Sequence, residues 1–236
     1  MKVLIIAAHP DDEILGMGGT ILKHAKKGDS IRTIYLSTGI SSRRNSSKKN
    51  LAKYDISEKE KIKIKKQVNE LRKNAKTANK LLKVKSVGFY DFPDNEMDSV
   101  SLLKIVKTIE SEIEEFNPNI IYTNHRSDLN VDHQTTFRAT ITASRPGTNN
   151  VKEILSFEVP SSTEWNYPYS FSPNLFIDIT KELPNKIKAM SCFESEFKKF
   201  PHPRSKKSLE SIAFRWGSVS GFNAAEAFEI IRKINF

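Results

Sequence analysis

The stretch VLIIAAHPDDEILGMGGT, residues 3–20, joins an apolar run to a histidine, a proline and three consecutive acids. A short continuous apolar run is typical of a parallel strand that is buried on both faces. It predicts a strand at residues 2–8, followed by a helix at residues 14–27. Three adjacent carboxylates repel one another, so their position directly behind a core strand indicates a polar site there.

Alternating strands and helices continue outward from this stretch. The predicted strands are 2–8, 31–38, 86–92, 119–124, 154–159 and 174–180, and the predicted helices are 14–27, 58–83, 99–116, one beginning near Asp132, and 181–197 with Thr180 as its cap. This alternation favours an α/β fold with a mostly parallel sheet and helices on both faces. No repeat or low-complexity linker divides the chain, so residues 1–236 are expected to form a single domain.

Composition narrows the class of protein. The chain has 38% hydrophobic and 28% charged residues and lacks the roughly 20-residue apolar run of a membrane helix, which favours a cytoplasmic globular protein. Net charge is +10, and residues 43–85 hold 16 Lys and Arg against 4 Asp and Glu. This segment is either a patch for an acidic partner or a solvated helix face. We favour the solvated face, without nucleic acid as a partner, because the lysines do not alternate with aromatics as they would on a surface that stacks bases.

Polar residues cluster behind two of the predicted strands. The first strand ends at HPDDE (9–13), and the fourth ends at TNHRSDLNVDH (123–133). Ligands of open parallel sheets bind outside the carboxyl ends of the strands. Two imidazoles and a carboxylate with one open position form the donor set of a catalytic zinc site, although iron, manganese or cobalt also suits such a set.

The spacing within these segments suggests separate roles. In His9-x-x-Asp12 the two side chains can turn toward one point, while Pro10 stiffens the loop between them. Asp11 then lies close to that point without binding there. Asp132 is expected to cap a helix that begins at His133, which would place His133 on the first turn.

The glycines of GMGGT (16–20) allow a second interpretation, a nucleotide-binding loop. Their spacing differs from G-x-G-x-x-G, and they follow the acids rather than the strand. We therefore interpret them as sites of close helix–sheet packing, with dinucleotide binding as the weaker alternative.

Five segments in this order resemble the PIG-L/LmbE-like N-acetylglucosaminyl deacetylases. They are AAHPDDEILGMGGT (7–20), TNHRSDLNVDHQTTFRAT (123–140), TASRPG (142–147), ILSFEVPSSTEW (154–165) and RWGSVSGFNAAEAF (215–228). The resemblance implies a Rossmann-like fold and a zinc-dependent hydrolase that removes acetyl from an amino sugar. It further implies that His9, Asp12 and His133 bind zinc, with Fe²⁺ or another divalent metal as an alternative, and that Asp11 is the general base.

One departure from the family affects the catalytic set. Many relatives have a histidine where this chain has Asn130, and an amide can donate a hydrogen bond but cannot transfer a proton. His125 is the candidate for the missing imidazole. Asn130, His125 and Asp132 therefore join Asp11 as candidate catalytic residues, and Glu13 is expected to hydrogen-bond a ligand histidine from behind.

The substrate is expected to be an N-acetylglucosamine unit of a small-thiol precursor or a surface-glycan intermediate. Candidate contacts to it are Arg43, Arg44, Arg145 and Glu158, all in predicted loops or at strand ends. The alternatives are a metal-dependent hydrolase of another amide or ester and a non-catalytic sugar- or nucleotide-binding protein. The sequence is also compatible with a homo-oligomer.

Overall fold

A computed structural model of the protein describes residues 1–40 and 58–234. Its seven strands form one sheet in the order β3-β2-β1-β4-β5-β7-β6. The strands are β1 (Lys2–Ala7), β2 (Ser30–Ser37), β3 (Ser86–Phe92), β4 (Ile120–Asn124), β5 (Glu153–Phe157), β6 (Leu175–Asp178) and β7 (Ala225–Lys233). The first five strands are parallel, and β7 pairs antiparallel with both β5 and β6. The predicted α/β class with a mostly parallel sheet is confirmed.

Helices cover both faces of this sheet. They are α1 (Asp12–Lys26), α2 (Glu58–Leu81), α3 (Leu102–Phe116), α4 (Val131–Ala143), α5 (Leu183–Met190) and α6 (Lys206–Ser220). Alternate residues of β1 enter two separate cores, because successive strand side chains point to opposite faces. Val3 and Ile5 pack with α1, α2 and α5, whereas Leu4 and Ile6 pack with α3 and α4. None of the helices in the described ranges is both long and apolar enough to span a membrane.

The last third of the chain differs from the sequence prediction. The predicted helix 181–197 is shorter, Leu183–Met190, and Thr180 does not cap it, because its hydroxyl donates to Asp178 Oδ1 at 2.6 Å. The sequence does not predict helix α6 or strand β7; the segment RWGSVSGFNAAEAF (215–228), which spans the junction between them, carries only the family resemblance. The sequence of β7 is AEAFEIIRK, and its first five residues are buried. Two of these are acids, Glu226 and Glu229, so the sequence lacks the continuous apolar run that marks a core strand.

The glycines of α1 lie against the sheet, as expected. A Cβ on Gly16 would come within 2.4 Å of Phe157 Cδ2 and 2.7 Å of the Glu158 carbonyl oxygen. One on Gly19 would come within 2.6 Å of Ile179 Cγ2. Only glycine therefore permits this approach, which carries α1 directly over the end of β5.

The basic segment is described only in part, because residues 43–57 lie outside the described ranges. From Glu58 onward it forms α2, and the lysines of that helix are exposed. Leu71, Ala75 and Ala78 of the same helix are buried in the core. The described part of the segment thus has the solvated face that its composition favours.

Candidate metal and catalytic centre

The two polar segments meet at the carboxyl edge of the sheet. β1 and β4 are neighbours at the point where strand order reverses, which is where open α/β sheets bind ligands. The Ala8 N–H donates to Asn124 Oδ1 at 2.9 Å and ties the two strand ends together. A cavity of about 110 Å³ opens there, and its lining is His9, Pro10, Asp11, Gly39, Leu71, Asp94, Asn95, Asn130, His133, Ser161, Ser162, Glu196 and Arg204.

Three buried side chains converge beside this cavity. His9 Nδ1 lies 3.2 Å from His133 Nε2, and Asp12 Oδ2 lies 3.8 Å from the first nitrogen and 3.3 Å from the second. Each residue offers one ligand atom to a common point. The structure thus brings together the three residues that the sequence analysis nominated as metal ligands.

The spacing and chemistry of these atoms fit a small divalent cation. Donors bound at 2.0–2.1 Å in a tetrahedron stand about 3.3–3.4 Å apart. Two of the observed separations, 3.2 Å and 3.3 Å, are close to this value, and the third, 3.8 Å, is somewhat longer. Asp12 Oδ2 also accepts from the His9 N–H and from Asn124 Nδ2 at 3.0 Å, whereas the buried Asp12 Oδ1 has no hydrogen-bond partner among the described residues. A buried carboxylate oxygen without a partner is costly, and a cation would satisfy it.

Carboxylates also hold the far side of each imidazole. His9 Nε2 lies 2.9 Å from Asp132 Oδ2 and 3.2 Å from Asp94 Oδ1. His133 Nδ1 lies 3.1 Å from Asp128 Oδ2, an oxygen that also accepts from the Thr163 hydroxyl at 2.6 Å. Such partners fix the ring orientation of ligand histidines and raise their basicity.

The site carries surplus negative charge. Burial opposes protonation of His9, but hydrogen bonds with Asp132 and Asp94 and the charge of Asp12 raise its pKa well above the usual value. The pKa of His133 is also raised, because Asp12 and Asp128 outweigh the effect of burial. Surroundings that favour a proton on these rings favour a bound cation for the same electrostatic reason.

Asp11 lies beside the three converging side chains in an unusual conformation. It has a φ of 114°, and its N–H donates to Glu13 Oε2 at 3.3 Å. Its Oδ2 accepts from Arg204 Nη1 at 2.8 Å. Burial raises the pKa of Asp11 to about 7, although Arg204 acts in the opposite direction. A carboxylate with such a pKa is suited to accept and return a proton near neutral pH.

Glu13 does not contact a ligand histidine, so that prediction is corrected. Its carboxylate accepts from the Asp11 N–H, from the Tyr35 hydroxyl and from Asn79 Nδ2 at 3.0 Å. Burial raises the pKa of Glu13 to about 8, against the opposing hydrogen bond of Tyr35. Glu13 lies on the first turn of α1, and its side chain points toward Tyr35 and Asn79 on the α2 side of the sheet, away from the two histidines.

The capping residue of α4 is Asn130 rather than Asp132. Asn130 Oδ1 accepts from the Asp132 N–H at 2.8 Å, and Asn130 Nδ2 donates to Asn95 Oδ1 at 2.8 Å. Asp132 is thereby freed to accept from the backbone of Asn95 and Met97 and to hold His9. Asn130 lines the cavity, as expected of a substrate-facing residue, but both ends of its amide are engaged.

Three other candidates lie away from the cavity. His125 is fully buried, with Nε2 3.1 Å from Glu229 Oε1, and is not among the described residues that line the cavity. Arg145 is exposed and pairs with Glu110 at 3.5 Å, and Glu158 accepts from Trp216 Nε1 at 2.5 Å. Arg43 and Arg44 lie outside the described residues.

Two residues of the site escaped the sequence analysis. Asp94 follows β3, and an acid behind a third parallel strand would have been found by the reasoning applied to β1 and β4. Arg204 reaches Asp11 from 193 positions downstream, and no periodicity or motif marks it.

Comparison with known proteins identifies the family. The model of the PIG-L family, described as GlcNAc-PI de-N-acetylase, matches residues 4–144. This chain belongs to the PIG-L family. The match spans β1 to the end of α4 and so includes the three converging side chains and Asp11. It confirms the resemblance drawn from the sequence, and with it the prediction of an N-deacetylase.

Two relatives of this PIG-L protein are similar to it along most of their length. The diacetylchitobiose deacetylase of Thermococcus kodakarensis is 26% identical over 98% of this chain and 83% of the relative. An uncharacterised deacetylase of Escherichia coli is 28% identical over 76% of this chain and 83% of the relative.

Solved structures confirm the fold of this PIG-L protein. The N,N′-diacetylchitobiose deacetylase of Pyrococcus horikoshii has a TM-score of 0.75 at 22% identity, covering 98% of this chain and 84% of that one. The 4-carboxy-2-hydroxymuconate hydratase of Pseudomonas putida has a TM-score of 0.76 at 21% identity, covering 100% and 98%. One scaffold thus supports different reactions, so the activity has to be argued from the site.

Proposed function

We propose that this protein is a zinc-dependent hydrolase that removes the N-acetyl group from an N-acetylglucosamine-containing substrate. The observation that carries the proposal is the convergence of His9 Nδ1, Asp12 and His133 Nε2 beside a cavity that Asp11 also lines. Family membership and the diacetylchitobiose deacetylase of Thermococcus kodakarensis support the choice of substrate class.

His9, Asp12 and His133 would hold the metal. Two imidazole nitrogens and a carboxylate oxygen leave an open coordination position, as in catalytic zinc sites. The bound cation would polarise the amide carbonyl and acidify the attacking water. Asp132 Oδ2 and Asp128 Oδ2 lie 2.9 Å and 3.1 Å from the outer nitrogens of the two rings and would keep both rings aimed at that point.

Asp11 would move the proton. Its carboxylate accepts a proton as the water oxygen bonds to the carbonyl carbon, which forms a tetrahedral intermediate. As the C–N bond breaks, Asp11 returns that proton to the leaving amine, so acetate and the free amino sugar are released. Burial raises the pKa of this carboxyl, so Asp11 accepts a proton more readily than an exposed aspartate does.

The cavity fits the reacting end of such a substrate. Its volume of about 110 Å³ is small beside the roughly 300–1,000 Å³ of pockets that enclose drug-sized ligands. The acetamido group would enter, while the remainder of the sugar conjugate lies across the rim. Recognition of the remainder then depends on residues around the opening.

Acetate release tests the proposal. We expect the zinc-loaded protein to release acetate from at least one member of a panel of N-acetylglucosamine conjugates that includes N,N′-diacetylchitobiose. A chelator should abolish the release, and added zinc should restore it. No release from any member would contradict the proposal, and turnover of only non-sugar amides or esters would favour a hydrolase of another substrate on the same scaffold.

A further inference from the structure

Arg204 is the one guanidinium among the described residues that line the cavity. It directly precedes Ser205, whose hydroxyl caps α6 by accepting from the Ser208 N–H. The Arg204 N–H donates to His202 Nδ1 at 3.1 Å, and its carbonyl accepts from the Lys198 N–H. The backbone of Arg204 is thus fixed at the start of α6, and the side chain extends from there toward the end of β1.

Three groups hold the guanidinium. Nη1 donates to Asp11 Oδ2 at 2.8 Å and to Glu196 Oε2 at 3.0 Å, and Nε donates to Ser161 Oγ at 2.7 Å. The Asp11 and Glu196 side chains are each only 3% exposed, so these charges are largely removed from water. Hydrogen bonds between ionised partners are the strong ones, and the planar fork of arginine can satisfy several acceptors at once.

The contact with Arg204 gives the two oxygens of the Asp11 carboxylate different surroundings. Oδ2 accepts from Arg204, whereas Oδ1 accepts no hydrogen bond from the described residues. The backbone of the same residue is held separately, through the Glu13 carboxylate that accepts its N–H. Asp11 is therefore fixed at two points, and Oδ1 is the oxygen left for a proton transfer.

We propose that Arg204 is a positioning residue for this reaction, which holds Asp11 Oδ2 so that Oδ1 faces the attacking water. The inference rests on the proposed function in one respect, the role of Asp11 as the base. Arg204 acts through Asp11, so its removal loosens the base without removing it. Misplacement of a catalytic group by about 1 Å can cost roughly 10²-fold in rate.

Steady-state kinetics test this role. We expect Arg204→Gln to lower kcat about 10²-fold while KM changes less than about threefold. Arg204→Lys keeps a positive charge between the two carboxylates and should therefore retain a higher kcat than Arg204→Gln. It also provides a second variant in case Arg204→Gln does not fold. The matched control is Arg72→Gln, which removes a surface ion pair with Asp91 and should keep wild-type kcat.

A double-mutant cycle separates positioning from an independent contribution. If Arg204 acts through Asp11, the Asp11→Asn/Arg204→Gln variant is no slower than Asp11→Asn alone, because the two effects are not additive. The proposal would be overturned if the fold-losses in kcat of the two single variants multiply in the double variant. It would also be overturned if Arg204→Gln raises KM without lowering kcat.

A crystal structure of Arg204→Gln gives a readout that requires no turnover. We expect the Asp11 carboxylate to rotate or to occupy two orientations, while its backbone stays held by Glu13 and the metal content equals that of wild type. An Asp11 side chain unchanged in position would overturn the inference. If no substrate is turned over, the proposed function fails, while this crystallographic result still decides whether Arg204 holds the Asp11 carboxylate in place.

Discussion

At the scale of single residues, the five positions His9–Glu13 perform different tasks. Asp11 has a φ of 114°, a conformation that costs a non-glycine residue roughly 1–3 kcal/mol. Glu13 stabilises that conformation by accepting the Asp11 N–H. The three adjacent acids therefore point three ways: Asp12 toward the two histidines, Asp11 into the cavity and Glu13 into the core behind it. Their mutual repulsion is offset by separate partners.

His125 provides a prediction at this scale. It lies directly behind β4, yet its ring pairs with Glu229 and packs edge-on against Phe171. We expect His125→Gln to lower the melting temperature, because a buried contact is lost, while kcat and KM stay within about threefold of wild type. Thermal unfolding and acetate release measured on one preparation check both parts. A 100-fold loss of kcat with an unchanged melting temperature would place His125 in the reaction after all.

At the scale of elements, the site is assembled from the ends of strands and the starts of helices. The loops after β1, β3, β4 and β5 and the turn before α6 all contribute cavity-lining residues. The carboxyl ends of the parallel strands lie at one edge of the sheet, and the N-termini of the following helices lie at the same edge. The first N–H groups of a helix have no partner within the helix and can donate to other acceptors. The close approach of α1 to the sheet, permitted by its glycines, sets where His9 and Asp12 lie.

Gly16 and Gly18 give a matched pair for this packing. A Cβ at Gly16 would lie 2.4 Å from the Phe157 ring and 2.7 Å from the Glu158 carbonyl oxygen, whereas one at Gly18 would lie no nearer than 3.1 Å to any atom, at Lys186 Cγ, so that a shift of a few tenths of an ångström relieves the contact. We expect Gly16→Ala to reduce the free energy of unfolding by about 1–3 kcal/mol, because the helix is forced away from the sheet. Gly18→Ala should cost clearly less in the same urea titration. Equal losses would contradict this account of the packing.

The extent of sequence-based prediction differs between elements. Strands β1 to β4 carry local apolar runs, and their ends carry His9, Asp12 and His133, so periodicity and residue type were sufficient there. β7 was missed because its buried acids interrupt the apolar pattern: Glu226 accepts from the Gly19 and Thr20 N–H groups and from Lys186. Arg204 could not be predicted, since only the tertiary fold brings it to Asp11.

At the scale of the whole molecule, the proposed metal joins chain segments that are far apart in sequence. His9 and His133 are separated by 124 positions, and their facing nitrogens are 3.2 Å apart. A ligand that binds only the folded state raises the free energy of unfolding, by about 2.7 kcal/mol at a concentration 100 times its Kd. Metal binding should therefore stabilise the entire fold.

Thermal unfolding checks this linkage. We expect zinc to raise the melting temperature of the chelator-treated protein, and we expect the rise to vanish in His133→Ala. His125→Gln serves as the control, because it removes a buried histidine outside the three converging side chains and should keep the response. A shift of the same size in His133→Ala would show that zinc binds elsewhere.

The central claim is that Asp11 performs proton transfer beside a metal held by His9, Asp12 and His133. The most direct measurement compares wild type and Asp11→Asn for acetate release from N,N′-diacetylchitobiose or another productive conjugate, with metal content determined on the same samples. Our account predicts equal metal content and a loss of kcat of at least about 10²-fold, the lower end of the usual contribution of general acid–base catalysis. Turnover within a few-fold of wild type at equal metal content would contradict it.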